Sequence, residues 1–189
     1  MIPDPPLAFW QYFDYISLAA LLVVVGTLVT FQARQAKALP STISKSVATS
    51  PRSSLVFSIV MTIFFPLYYA FLWFWVGPYI LAPGIFYVLL ILAFICELIF
   101  VWAPANEKTK VLHMLSASAV GLSMVILSVV VFAFGHSLSE ASIGAIIVFW
   151  VVVLVTPALF MKRFRTYTFI VEVGFCAVFL AMISIIAHT

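Results

Sequence analysis

Long apolar runs separated by short polar segments dominate this chain. Six runs, approximately 6–31, 55–80, 84–104, 110–134, 139–161 and 167–187, are each long enough to cross a bilayer. A crossing takes about 20 mostly apolar residues at about 1.5 Å rise through a hydrocarbon core of about 30 Å. Inside that core only a helix or a closed barrel satisfies the backbone, and barrel strands alternate apolar with polar positions. These runs do not alternate. The pattern predicts an all-α integral membrane protein, one polytopic domain built as a bundle of six transmembrane helices.

Local signals mark the helix starts. Asp4 before Pro5 and Ser50 before Pro51 each place a capping residue ahead of a proline at the first helical position. Asn106 is a candidate cap for the fourth helix, and Ser137 with Glu140 three residues on reads as a capping box for the fifth. Residues 32–54, rich in Ser, Thr, Ala and basic side chains, read as a flexible basic loop. The N-terminus lacks a basic n-region, so the first run is expected to stay as a membrane helix rather than be cleaved.

Composition sharpens the class. The chain is 66% hydrophobic and only 8% charged, against roughly 25% in ordinary soluble domains. The excess of nine Lys and Arg over six Asp and Glu forms no basic patch suited to nucleic acid. Instead, the basic residues fall in three segments: Arg34, Lys37, Lys45 and Arg52; Lys108 and Lys110; Lys162, Arg163 and Arg165. The even-numbered connections and both ends carry none. The positive-inside rule then puts the odd connections in the cytoplasm and the N-terminus and C-terminus both on the extracytoplasmic side. A multi-pass membrane location follows, the plasma membrane for a prokaryotic chain.

With that orientation, depth can be counted. Glu97 lies about seven residues before Pro104, roughly 10 Å from the cytoplasmic boundary. Glu172 lies about seven residues after Arg165, at a similar depth, and His113 opens the fourth helix from the same side. A carboxylate facing lipid costs a few kcal/mol, so such groups face the bundle, take up a proton, or pair. Thr168, Glu172 and Cys176 recur every four residues on the sixth helix, whereas the same spacing around Glu97 gives only Ala93 and Val101. Glu97 therefore needs a partner from another helix. Glu97, Glu172 and His113 are the candidate site for a proton, a cation or a polar ligand.

Other features are weaker. Asp14, His136 and His188 gather at the extracytoplasmic rim and could in principle hold a metal, but their spacing has no signature and rim residues are normally wet. No cofactor is expected. Pro66 sits in mid-membrane among Tyr68, Tyr69 and Trp73, which could line an apolar ligand groove or serve as packing anchors. Ser116, Ala117, Ala119, Gly121 and Ser123 would let another helix approach the fourth helix closely, within the bundle or in a homo-oligomer or membrane complex. The two cysteines, Cys96 and Cys176, have no metal spacing. Nucleophile-elbow, zinc-protease, P-loop and dinucleotide motifs are absent from the sequence.

The segment Glu97–Ala117, "ELIFVWAPANEKTKVLHMLSA", resembles small six-helix bacterial membrane proteins of the DRAM-related group. The resemblance rests on the proline that ends the third helix, Pro104, and the histidine that opens the fourth, His113. It implies a six-helix membrane bundle.

These readings converge on a small membrane protein that transports or senses a small solute or cation through a protonatable site near the cytoplasmic side. The alternatives are a non-catalytic membrane subunit or scaffold that binds lipid or partner helices, and an intramembrane lipid-modifying enzyme.

Overall fold

The computed structural model describes residues 9–35, 51–103, 109–135, 138–159 and 168–189. Asp4, Ser50, Asn106, His136, Ser137 and most of the basic residues lie outside them. A 3-10 turn, Trp10–Tyr12, leads into α1 (Phe13–Gln35). The second helix, α2, runs from Pro51 to Phe71, passes through a π-helical turn at Leu72–Val76 and closes with one more turn at Gly77–Tyr79. Then come α3 (Gly84–Trp102), α4 (Lys110–Phe134), α5 (Glu140–Leu159) and α6 (Thr168–His188). The described residues contain no strand.

Among the described residues, four stretches are long and apolar enough to cross a membrane: Ser54–Tyr79, Gly84–Trp102, Lys110–Phe134 and Val171–His188. Only 28–33% of the residues in each most apolar window are buried by the chain itself. Many of the others, including Leu92, Val111 and Leu122, are exposed. A surface so apolar needs hydrocarbon around it, so the chain is a helical membrane protein.

Consecutive helices pack side by side, and α6 returns to α1, closing a ring. The pairs α3–α4 and α5–α6 are the most intimate, and the π-helical turn of α2 reaches across to α6. The core is uneven. A large cluster, including Phe71, Phe86, Val131, Phe149 and Ile183, fills the end of the bundle where α1 begins. At the opposite end only Phe57, Met61 and Val101 form a buried cluster.

The π-helical turn has a local cause. Pro78 has no N–H to give, and in a regular helix its ring would meet the Phe74 carbonyl. Widening the turn avoids that clash, with Gly77 N–H donating to the Leu72 carbonyl five residues back. Gly77 also lets Tyr87 of α3 lie against this turn: a Cβ here would sit 2.6 Å from the tyrosine hydroxyl. The helix then stops at a paired terminal motif, with Ala82 N–H on the Gly77 carbonyl (2.8 Å) and Leu81 N–H on that of Pro78 (3.1 Å). Leu81 occupies the left-handed position usual for glycine, at φ 52°.

Side-chain hydrogen bonds tie the ring together where lipid offers none. Trp75 Nε1 donates to the Ala187 carbonyl (3.1 Å), joining α2 to α6. Trp150 Nε1 donates to Ser128 Oγ (2.9 Å), joining α5 to α4. Trp102 Nε1 donates to Thr62 Oγ1 and Ser58 Oγ to the Val101 carbonyl, both at 2.9 Å, joining α3 to α2. Ser116 and Ser123 of α4 are buried in the bundle, whereas Ala117, Ala119 and Gly121 are half-buried.

Several element ends differ from the sequence expectation. The α-helical part of α1 starts at Phe13, α1 continues to Gln35, and α2 already begins at Pro51, so both ends of segment 32–54 are helical. The cap of α5 is Ser139, whose Oγ accepts the Ser142 N–H at 3.0 Å, because the helix starts at Glu140. Thr109 stands at the start of α4 without a side-chain cap bond.

Candidate functional site

Glu97 falls in the middle of α3's most buried stripe, with Phe86, Leu90, Ala93 and Val101. That spacing follows the helical repeat, so an inward-facing apolar row carries the carboxyl to the interior. Across from it on α2, the Tyr69 hydroxyl lies within electrostatic reach of the Glu97 carboxyl. The carboxyl oxygen Oε2 is buried and has no hydrogen-bond partner among the described residues. Tyr69 is braced by Phe94 of α3, ring centres 5.2 Å apart.

Next to Tyr69, the Tyr68 hydroxyl is also buried without a partner among the described residues. The two tyrosine rings stand edge to face at 6.5 Å. A buried acceptor and a buried hydroxyl left unbonded are uncommon in a folded interior. Each is a buried polar atom that a proton, a water molecule or a small ligand would satisfy.

The α6 side of the site is Cys176, whose thiol lies within electrostatic reach of both Glu97 and Glu172. Cys96 lies within electrostatic reach of Tyr69. Both cysteines are free and half-buried.

His113 is held differently. Its Nδ1 lies 2.7 Å from the Ala103 carbonyl, and its ring packs on Phe100 at 4.6 Å. A carbonyl only accepts, so Nδ1 carries the proton in this bond. Ala103 follows Glu97 by six residues, about 9 Å along α3. His113 therefore sits near the bundle end, with Phe100 between it and the level of Glu97.

Of the aromatic groove candidates, Tyr68 is buried and Tyr69 half-buried, whereas Pro66 and Trp73 are exposed. Trp73 leans edge-on against Tyr87 at 4.7 Å.

Asp14 departs from expectation. A rim residue should be wet, yet Asp14 is only 3% exposed. Its Oδ2 accepts a hydrogen bond from Ser184 Oγ and lies 3.3 Å from His188 Nε2. Its Oδ1 accepts the Tyr15 N–H at 2.8 Å, and Tyr15 stacks on His188 at 5.2 Å. Asp14 thus pins the start of α1 to the end of α6. The cue in the sequence was Ser184 four residues before His188, but nothing there paired α6 with α1. Among the described residues no group of three His, Cys, Asp or Glu side chains could hold a metal ion.

Fold and site together define an all-helical membrane protein with a carboxyl–tyrosine site inside its bundle. Compared with known proteins, the chain matches no family, no curated protein and no solved structure. The likeness of Glu97–Ala117 to the DRAM-related group does not extend to a family match.

Proposed function

We propose that the chain crosses the membrane six times, with both termini on the extracytoplasmic side, and moves or senses a small solute or cation. In this reading Glu97 and Glu172 form a protonatable site in the cytoplasmic half, with His113 at its mouth. The protein then belongs to the multi-pass plasma-membrane class when its host is a prokaryote. The confinement of lysines and arginines to alternate connections supports the orientation. The observation that carries the site is Glu97 Oε2, buried and without a hydrogen-bond partner among the described residues. A carboxyl kept only as a tie between helices would have both oxygens engaged, because an unmet buried acceptor costs about 1–3 kcal/mol.

Every member of this site can exchange a proton, so proton movement is the readout whichever solute accompanies it. The purified protein would be placed in liposomes holding a pH-sensitive dye, and a potassium diffusion potential imposed. Wild-type vesicles are expected to acidify or alkalinise with the potential, and Glu97→Gln and Glu172→Gln to lose that response. If both variants keep the wild-type rate and its pH dependence, the reading is wrong.

A further inference from the structure

The Glu97 site and the Asp14–His188 cluster lie on opposite sides of the densest part of the bundle. On α6 the polar positions recur every four residues: Glu172, Cys176, then Ser184 and His188, with Leu180 as the only gap. From Glu172 to Ser184 is about 18 Å along the helix. Each step of four also turns about 40° around the axis, so the row winds about α6. Its ends meet different helices: Ser184 and His188 touch Asp14 of α1, and Cys176 lies within electrostatic reach of Glu97 of α3. In the ring, α2 lies between α1 and α3, and its π-helical turn packs on α6.

Tyr68 belongs to α2 and bridges that gap. It is the only polar-tipped member among the described buried residues of the large core cluster, in which Leu180 also packs. Its hydroxyl lies within electrostatic reach of both Asp14 and Glu97. That hydroxyl is buried and unpartnered among the described residues, so nothing there commits it to a fixed structural bond. Its ring is held by Phe71 at 6.0 Å and by Tyr69 at 6.5 Å.

We propose that Tyr68 is a proton relay between the Asp14–His188 cluster and the Glu97 site, which makes the proton a species that moves through this bundle. The inference rests on the protonatable site argued above. A proton arriving from the Asp14 side bonds to the Tyr68 oxygen as the phenolic proton leaves towards Glu97. One O–H bond forms and one breaks, the phenol ends neutral, and one proton has moved. Water on either side completes the chain, and rotation of the hydroxyl resets it. The surrounding apolar cluster, with Phe13, Phe71, Leu127 and Phe179, excludes other ions from this segment. The remaining titratable groups along the route are Tyr69, Cys96, Cys176, Glu172 and His188.

Tyr68→Phe keeps the ring and removes only the oxygen. In the same liposomes it is expected to slow proton movement at least about tenfold, the scale on which a positioned proton donor acts. Meanwhile the Glu97 carboxyl band in infrared spectra, identified by its loss in Glu97→Gln, should titrate as in the wild type. The unchanged titration shows that the fold and the site survive. A Tyr68→Phe rate within about twofold of wild type overturns the relay, as does a wild-type protein that passes no protons. If Glu97→Gln abolishes movement and Tyr68→Phe does not, the relay alone falls. If Glu97→Gln itself leaves movement intact, the site reading falls with it.

Discussion

Replacing Glu97 by Met and Tyr69 by Phe together tests whether the carboxyl is held for stability or for use. In the wild type, the Glu97 carboxyl lies within electrostatic reach of the Tyr69 hydroxyl, and its Oε2 is buried without a partner among the described residues. The unmet oxygen costs about 1–3 kcal/mol, and an attraction to the tyrosine returns at most a net of about 0.5–1.5 kcal/mol. The double variant removes both, along with the donor and acceptor, and keeps the volumes close. The expected result is a gain of about 1 kcal/mol, with proton movement lost. Glu97→Met alone leaves the half-buried Tyr69 hydroxyl unmatched, so its stability should lie within about 1 kcal/mol of wild type. The assay is reversible unfolding in mixed micelles, run as a double-mutant cycle so that the Glu97–Tyr69 term is separated from each side chain's own effect. A double variant less stable than wild type by more than about 2 kcal/mol would refute the reasoning, because Glu97 would then be a structural tie.

Three further outcomes are expected. Leu81→Gly relieves a left-handed residue costing about 1–2 kcal/mol, partly offset by the freedom glycine gains in the unfolded chain; a net gain of about 0.5–1 kcal/mol should appear in the same unfolding assay, and a loss would contradict the strain. Trp150→Phe and Ser128→Ala should couple by about 0.5–1.5 kcal/mol in a double-mutant cycle, and strict additivity would show that the 2.9 Å bond contributes nothing. His113→Ala removes the partner of the Ala103 carbonyl where α3 ends and should cost about 1–3 kcal/mol; unchanged stability would show that this bond does not hold α3 to α4.

The apolar runs revealed the helices well because lipid demands a continuous apolar stretch, and α4, expected at 110–134, spans Lys110–Phe134. Glu97 was legible as an inward group because its i±4 neighbours are apolar, leaving its partner to come from another helix. The identity of that partner was not legible, since Tyr69 sits among aromatics that read equally well as packing. Asp14 was misjudged as wet: its burial depends on Ser184 and His188, which are distant in sequence, and no local periodicity reports such a pairing. The tryptophan ties were hidden for the same reason, as membrane interfaces enrich tryptophan whether or not its N–H finds a partner. The π-helical turn had a visible cause in Pro78, yet proline in a membrane helix is equally compatible with a simple kink.

That turn makes the length of α2 a constrained quantity. It holds one residue more than a regular helix would use between Phe71 and Gly77. A single deletion within Leu72–Val76 would close the turn to the regular repeat and leave Gly77–Tyr79 facing as before, but it would press the Pro78 ring against the carbonyl four residues back. A further insertion would find the bulge already in use and would swing Gly77–Tyr79 by about 100°, turning Gly77 away from Tyr87. Either change strains or misdirects the end of α2, so this segment should tolerate exchange of its side chains far better than any change in their number.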